Sequence, residues 1–251
     1  MSDPSVVSLL ERAPGVAVLC MEDRASKNSF SPALVAGLRE AFAAVGADER
    51  YRVVVLTGYE NYFCSGGTRD ELMAIHDRRL RFDELPVYDL PLQCELPVIS
   101  AMQGHATGGG LVLGLYADFP ILGRECLYAA NFMNFGFTPG MGATLMLPLR
   151  LGAALGAELL FSGASWRGGE LQERGCPLRV VPRREVLPAA QKLAGALAQK
   201  PRLALVALKR HLARPARERL DDTVRAELAM HELTFHQPEV AARIAEHFGE
   251  G

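Results

Sequence analysis

Short apolar runs separated by glycine and polar turns dominate the first half of the chain. Residues 6–10 and 16–20 alternate in polarity about the turn at 13–15, which predicts a β-hairpin at a sheet edge. Residues 53–57 and 98–102 are nearly continuous apolar runs, which predicts short strands buried on both faces. Further strands are predicted at 118–122 and 127–130.

Helix signals alternate with these strands. Ser31 followed by a proline predicts the start of a helix that closes at Gly46. Thr68 and Glu71 form a capping-box signature, so a second helix should begin just after Gly67. This strand–helix–strand order predicts a parallel sheet with helices outside it. Later helices, interrupted by prolines 201, 215 and 238, are predicted at 143–150, 153–160, 168–175, 187–198, 203–212, 220–235 and 240–248.

Two glycine-rich loops each follow a predicted strand and precede a helix. Residues 104–110 read Gly-His-Ala-Thr-Gly-Gly-Gly, and residues 65–67 read Ser-Gly-Gly. The first N–H groups of a helix have no acceptor within the helix, so each loop should aim unpaired donors outward. Two such sets of donors are what a two-donor oxyanion hole for a thioester enolate requires.

Other uses of the 104–110 loop fit the sequence less well. A phosphate-binding P-loop needs Lys followed by Ser or Thr after the last glycine, where Leu111 and Val112 stand. The spacing of a dinucleotide fingerprint and its later acidic residue are also absent. The alternative interpretation is that residues 104–110 form a glycine turn with a structural role only, packing a helix against a strand.

Composition and charge exclude several classes of function. The 251 residues are 49% hydrophobic, enough for a large core, and a net charge of −2 gives no reason to expect nucleic acid or an anionic membrane as a partner. No apolar run reaches the roughly 18 residues of a membrane span, and the N-terminus carries no export signal, so we expect a cytoplasmic protein. The five scattered cysteines predict reduced thiols and no metal site, and nothing singles out Cys64 as a nucleophile.

Charged residues mark two further segments. Arg24 and Lys27, in the loop after the hairpin, could meet a phosphate of a carrier group, with solvated loop charges as the alternative. Residues 74–93 mix both signs of charge, which predicts an exposed and mobile cover, with a solvated surface helix as the alternative.

Five motifs are informative when they are considered together. They are Phe63-Cys64-Ser65-Gly66-Gly67, the loop at 104–110, Ala117-Asp118, the turn at 136–142 and the helix-turn at 163–175. As a set they resemble the crotonase superfamily, the enoyl-CoA hydratases and isomerases. The resemblance implies an α/β fold with a crotonase-type ββα spiral core over residues 1–195 and a C-terminal helical trimerisation region over residues 196–251. It also implies a thioester substrate, no cofactor, and an oxyanion hole made by the N–H groups of Gly67 and Gly109.

The sequence departs from the hydratases of this family at two positions. Those enzymes carry two glutamates that position and deprotonate water, and Val112 and Phe132 stand at the matching positions here. Neither side chain can transfer a proton, so water addition by the usual route is excluded. Loss of CO2 generates an enolate without a base, and the retained oxyanion hole would stabilise it.

The local sequences are similar to the decarboxylating crotonases of polyketide β-branching cassettes, above all over residues 131–144. That resemblance implies conversion of a 3-methylglutaconyl thioester into a 3-methylcrotonyl thioester. The acyl group would ride on the phosphopantetheine of an acyl carrier protein, or on coenzyme A. It also implies a homotrimer or a hexamer.

Relatives of this kind use a lysine in the cover and a histidine near the C-terminus. His231 matches the histidine, with His236 ranked lower. Arg81 stands nearest the lysine position and is the candidate to bind the substrate carboxylate, with Arg79 and His76 as rivals. Arginine can hold a carboxylate by two hydrogen bonds but cannot donate a proton at neutral pH, so protonation would fall to His231 or water. The residues expected to contact substrate are His76, Arg79, Phe132, Val112, Arg24 and Lys27.

Two other functions stay open. The chain could catalyse another crotonase reaction, either dehydration or isomerisation of a double bond in an acyl thioester. It could also be a non-catalytic subunit that binds a carrier protein, because such a subunit would lack the hydratase glutamates as well.

Overall fold

The structure, a computed structural model, describes residues 6–84 and 87–249. The described residues form one sheet of six strands, a second sheet of four strands, and helices around both. The strands are β1 Val7–Ala13, β2 Val16–Met21, β3 Val53–Thr57, β4 Tyr62–Cys64, β5 Val98–Met102, β6 His105–Thr107, β7 Phe119–Gly123, β8 Leu127–Ala129, β9 Ser165–Arg167 and β10 Arg179–Val181. The α-helices are α1 Pro32–Ala47, α2 Arg69–His76, α3 Leu90–Gln93, α4 Gly109–Leu115, α5 Ala143–Leu151, α6 Ala153–Ser162, α7 Gly168–Glu173, α8 Val186–Ala198, α9 Arg202–Thr234 and α10 Pro238–Phe248.

The larger sheet has the strand order β1-β2-β3-β5-β7-β10. Strands β1 and β2 form the predicted antiparallel hairpin, and the remaining pairs are parallel, as the strand–helix–strand order predicts. Every residue of β3 and β5 is buried. Both faces are covered because α8 packs on one side, whereas the main core lies on the other.

The smaller sheet places the two glycine loops side by side. Its order is β4-β6-β8-β9, and β4 runs parallel to β6 with Cys64 opposite Ala106. Because adjacent parallel strands end at the same edge of a sheet, residues 65–67 and 108–110 leave from neighbouring positions. The predicted helix starts after both loops are confirmed, at Arg69 and at Gly109.

Local capping follows the sequence closely at the starts of helices. The Ser31 hydroxyl accepts the Leu34 N–H at 3.1 Å, and the Thr68–Glu71 capping box forms in both directions. The predicted end of α1 at Gly46 is wrong, since the helix continues to Ala47. Glycine commonly ends a helix by adopting a left-handed conformation, and Gly46 does not adopt one.

The predicted break at Pro215 is also wrong, because α9 is one helix with this proline inside it. Proline removes the hydrogen bond to the carbonyl four residues earlier, at a cost of about 3 kcal/mol. That carbonyl belongs to His211 on an exposed face, where water can satisfy it. Buried side chains on both sides of Pro215 hold the helix to the rest of the fold. Before it, the Lys209 ammonium donates to the Pro91 carbonyl at 2.7 Å and pairs with Asp118 at 2.8 Å. After it, Glu227 is buried.

The predicted cover is only partly exposed. After α2 the chain turns at Arg78 and forms a 3-10 helix at Phe82–Glu84, and α3 follows. Its arginines are exposed, but Phe82 and Tyr88 are buried and anchor the segment to the core. Residues 85 and 86 of the cover lie outside the described residues, as do residues 1–5, which the expectation about export concerned.

The C-terminal region is helical, as predicted, with α9 and α10. The division into units at residues 195 and 196 stays a prediction. Within residues 6–84 and 87–249, no helix is long and apolar enough to cross a membrane.

Candidate active site

A cavity of about 430 Å³ opens beside the two glycine loops. Aromatic rings make up much of its wall, and these belong to Phe30, Phe82, Phe132, Phe135, Phe137 and Phe248. The polar groups on it come mainly from Lys27, Ser65, Glu71, Thr107, Asn131 and His247. A cavity that combines an aromatic wall with several polar groups fits an acyl chain whose one polar end is held in a fixed orientation.

Gly67 and Gly109 both line this cavity, so the structure brings the two predicted donors together. Their loops are in direct contact: the Thr107 hydroxyl donates to the Ser65 carbonyl at 3.0 Å, and a Cβ added to Gly110 would lie 2.1 Å from the Cys64 carbonyl oxygen. Among the described residues, neither the Gly67 N–H nor the Gly109 N–H has a hydrogen-bond acceptor. Two free N–H donors on one cavity wall are the arrangement needed to hold a developing oxyanion.

The positions of the missing hydratase glutamates differ in their surroundings. Phe132 lines the cavity. Val112 is not among the cavity residues, because it faces the apolar core from the first turns of α4. The structure therefore does not bring Val112 into contact with the space where substrate would lie.

Glu71 is the one carboxylate on the cavity wall among the described residues. One of its oxygens accepts the Thr68 N–H at 2.9 Å and the Thr68 hydroxyl at 3.0 Å, whereas the other has no protein partner. Burial raises the pKa of this carboxyl above its usual value, because the charged form loses hydration. The capping box predicts the helix but gives no sign that the same carboxylate faces a cavity.

A second cavity of about 380 Å³ lies behind the first. The two cavities share only Ile75 and Phe82 as wall residues, and the Phe82 ring packs 4.7 Å from the ring of His231. The second cavity holds the cationic and imidazole side chains of Arg78, Arg81, His231 and His236, together with the Glu232 carboxylate. The predicted catalytic residues are therefore divided between the two cavities, with the oxyanion donors in one and His231 and Arg81 in the other.

His231 is buried and held in one tautomer. Its Nε2 lies 2.8 Å from the Thr138 carbonyl oxygen, which can only accept, so Nε2 carries the hydrogen. Its Nδ1 is buried without a protein partner among the described residues. Burial lowers the pKa of the imidazole, so the ring is neutral at neutral pH and presents a lone pair at Nδ1.

The basic residues of the cover are engaged by neighbouring carboxylates. Arg81 makes two hydrogen bonds of 2.9 Å to Asp83, and Arg79 pairs with Asp77. His76 contacts Asp77 through Nδ1, and it lines neither cavity. Of the predicted carboxylate-binding residues, Arg81 alone reaches a cavity in this conformation.

The two basic residues after the hairpin are separated by the structure. Lys27 lines the cavity containing the glycine amides. Arg24 does not, because it pairs with Glu22 and Glu60 at 2.7 Å and lies over the ring of Tyr59. Arg24 is therefore not brought together with the other predicted site residues.

Three further side chains with reactive groups differ in their burial and contacts. Burial raises the pKa of the Cys64 thiol to about 12, which leaves it protonated and unreactive at neutral pH. His105 accepts the Leu127 N–H at Nδ1 and so joins β6 to β8. His236 lies beyond the end of α9, with Nδ1 2.9 Å from the His76 carbonyl oxygen.

Several cavity residues were not identified from the sequence. Asn131 lies within the 131–144 stretch that resembles the decarboxylating crotonases, but the sequence gives no sign that its side chain faces the cavity. His247 and Phe248, at the end of α10, line the cavity far along the chain from the glycine loops. No local pattern could have shown this, because the contact depends on how α10 folds back across α2.

Comparisons with known proteins agree with this geometry. The enoyl-CoA hydratase/isomerase family matches this chain over residues 11–249. The chain is 49% identical over 245 residues to the bacillaene synthase decarboxylase PksI of Bacillus subtilis (strain 168), covering 98% of each chain.

Two solved structures are similar over nearly the whole fold. One comes from a study of a dehydratase/decarboxylase enzyme couple involved in polyketide β-branching, with 50% identity, a TM-score of 0.94, and coverage of 96% of this chain and 95% of that one. The other is the ECH2 decarboxylase domain of CurF from Lyngbya majuscula, with 45% identity, a TM-score of 0.94, and coverage of 97% and 100%. The resemblance to decarboxylating crotonases predicted from the sequence is confirmed. The chain belongs to the enoyl-CoA hydratase/isomerase family of the crotonase superfamily.

Proposed function

We propose that this protein is a lyase that decarboxylates a 3-methylglutaconyl-type thioester to a 3-methylcrotonyl-type thioester in polyketide β-branching. The observation that carries the proposal is the pair of free N–H groups, from Gly67 and Gly109, on a cavity where Phe132 replaces a hydratase glutamate. The similarity to the bacillaene synthase decarboxylase supports the same reaction class.

The reaction needs electrostatic stabilisation more than acid–base chemistry. The bond between the γ-carbon and its carboxylate breaks, and its electron pair passes through the conjugated system to the thioester oxygen. The resulting dienolate is held by the Gly67 and Gly109 N–H groups, and CO2 leaves. Each donor of this kind is worth about 2.7–4 kcal/mol to the transition state. A proton then returns to carbon to give the product.

The substrate carboxylate requires a cation, and Arg81 is our candidate. Its guanidinium has the two-point geometry that suits a carboxylate, and Asp83 occupies those hydrogen bonds in this conformation. The carboxylate would replace Asp83 as partner when the side chain turns inward. Because the hydrogen of His231 is committed to Thr138, His231 can donate a proton from Nδ1 only as the imidazolium, and water is the alternative proton source.

A specific observation favours isomerisation of a double bond as a second candidate. Glu71 places one carboxylate on the cavity wall, and its pKa is raised by burial. A single carboxylate is sufficient to move a proton between two carbons of one substrate. Hydration, which in this family uses two glutamates, receives no such support.

Mass spectrometry of the loaded carrier separates these functions. The protein is incubated with an acyl carrier protein bearing the 3-methylglutaconyl group, and the acyl mass is followed over time. We expect loss of the mass of CO2, which isomerisation would not produce. His231→Ala should abolish turnover, whereas His211→Ala, on an exposed face of the same helix, should not. Equal activity of these two variants would contradict our assignment of His231, and no loss of CO2 with the wild-type protein would contradict the function.

The acyl group is proposed to arrive on the phosphopantetheine of an acyl carrier protein or on coenzyme A. Lys27 at the cavity wall would approach the phosphate of that carrier group. A homotrimer is proposed from the resemblance, and large apolar side chains exposed on α5, α6 and α9 support burial against further copies. These residues are Leu149, Phe161, Leu203, Leu208, Leu212 and Leu233. Analytical ultracentrifugation of the wild-type protein and of Leu212→Glu would test this assembly.

A further inference from the structure

A buried carboxylate on α9 holds the turn at residues 138–142, which lies beside the cavity containing the glycine amides. Glu227 is 1% exposed, and it accepts the Gly142 N–H at 2.7 Å, the Thr144 N–H at 2.9 Å and the Thr144 hydroxyl at 2.6 Å. All three partners are donors, and they lie more than 80 residues earlier in the chain. One side chain therefore accepts two of the N–H groups at the start of α5.

The turn held by Glu227 has a backbone conformation that needs outside support. Met141 has φ +64° and Gly142 has φ +75°, both in the left-handed region, which a non-glycine residue such as Met141 adopts rarely. The Tyr116 hydroxyl donates to the Met141 carbonyl at 2.8 Å. Glu227 from α9 and Tyr116, which directly follows α4, thus hold a turn in which Met141 has a sparsely populated conformation.

The same turn touches both parts of the predicted machinery. The Met141 side chain lines the cavity, and its sulfur lies 2.6 Å from where a Cβ of Gly109 would be. Gly140 packs against the His231 ring, because a Cβ on it would lie 2.6 Å from Cε1. A shift of the turn would therefore move two things at once. It would move the Met141 side chain that packs on Gly109, and it would move the ring of His231.

We infer that Glu227 is a positioning residue that fixes the Gly109 side of the oxyanion hole through the turn at residues 138–142. The inference rests on the proposed function for the identity of the reaction. Glu227 lines neither of the two cavities described above, so its effect passes through Gly142, Met141 and then Gly109. Misplacement of a donor by about 1 Å costs on the order of 10² in rate.

The test compares three single variants with the wild-type protein. Glu227→Gln keeps the shape of the side chain but replaces one accepting oxygen by a donor, and Thr144→Val removes only the hydroxyl donor. Glu218→Gln, on an exposed position of the same helix, is the matched control. Thermal unfolding of each variant sets a working temperature at which all are folded, and kcat and KM are then measured separately by CO2 release.

We expect kcat of Glu227→Gln to fall by about 10², with KM changing less than about threefold, because the two donors stabilise the dienolate charge more than they stabilise the neutral carbonyl of the bound substrate. Thr144→Val should show a smaller loss of kcat in the same direction, and Glu218→Gln should match the wild type. If Glu227→Gln lowers only the unfolding temperature, and leaves kcat at the wild-type value, the positioning role is refuted.

A spectroscopic measurement separates this inference from the proposed reaction. The carbonyl stretching frequency of bound 3-methylcrotonyl-pantetheine, labelled with ¹³C at the thioester, reports polarisation by the two N–H donors. We expect a shift to lower frequency in the wild type that is reduced in Glu227→Gln. An identical shift in both proteins would overturn the inference. A wild-type shift without CO2 release would instead overturn the proposed function and leave the positioning role in place.

Discussion

Substitution of Gly110 by alanine should separate the two loops of the oxyanion hole. A Cβ at this position would lie 2.1 Å from the Cys64 carbonyl oxygen and 2.6 Å from the carbonyl carbon. Nonbonded carbon–oxygen contacts lie near 3.3 Å, so the loops would move apart by about 1 Å. Because the obstacle is backbone, no side-chain rotation relieves it. A displacement of about 1 Å between reacting groups costs on the order of 10² in rate, and we expect kcat to fall by about that factor.

Stability and activity must be measured together for this variant. Overpacking of this kind costs about 1–3 kcal/mol, which urea denaturation monitored by circular dichroism would show. Gly46→Ala in α1 is the matched control, since no atom lies within 4 Å of its added Cβ. The control should gain up to about 1 kcal/mol from helix propensity and keep its kcat. A folded Gly110→Ala protein with wild-type kcat would refute the claim that contact between the loops sets the geometry of the two donors.

Three further predictions concern the groups around the two cavities. Arg81→Ala should lower kcat/KM by about 10- to 100-fold through loss of charge-assisted hydrogen bonds to the substrate carboxylate, whereas Arg79→Ala should not; equal losses would contradict the choice of Arg81. Burial depresses the pKa of His231 in the folded protein below its usual 6.5. The neutral ring therefore contributes stability above pH 6.5, and this contribution is lost as the pH falls through the depressed pKa. The free energy of unfolding should therefore fall less between pH 7 and pH 5 in His231→Gln than in the wild type, and parallel pH profiles would disprove this. Iodoacetamide at neutral pH should label the half-buried Cys20 before Cys64, as mass spectrometry of peptides would show, and the reverse order would be inconsistent with the burial of Cys64.

Local sequence signals predicted the elements that carry the site, but they misplaced where two helices end. Ser31, the Thr68–Glu71 capping box and the glycine loops marked helix starts correctly, because the groups that satisfy a helix start lie within a few residues of it. The break expected at Pro215 does not occur, since contacts of Lys209 and Glu227 with distant segments outweigh the local cost of a proline.

The sequence by itself determined the family, the two donor loops and the absence of the hydratase glutamates, because these are properties of residue identity and of spacing along the chain. Only the tertiary structure decided which side chains share a cavity. It placed Glu71, Asn131 and His247 on the wall with the glycine amides, and it put His231 and Arg81 behind Phe82. It also showed that Glu227 holds the turn next to Gly109. These contacts join residues that are tens of positions apart, and no local periodicity or capping rule encodes a distance across the fold.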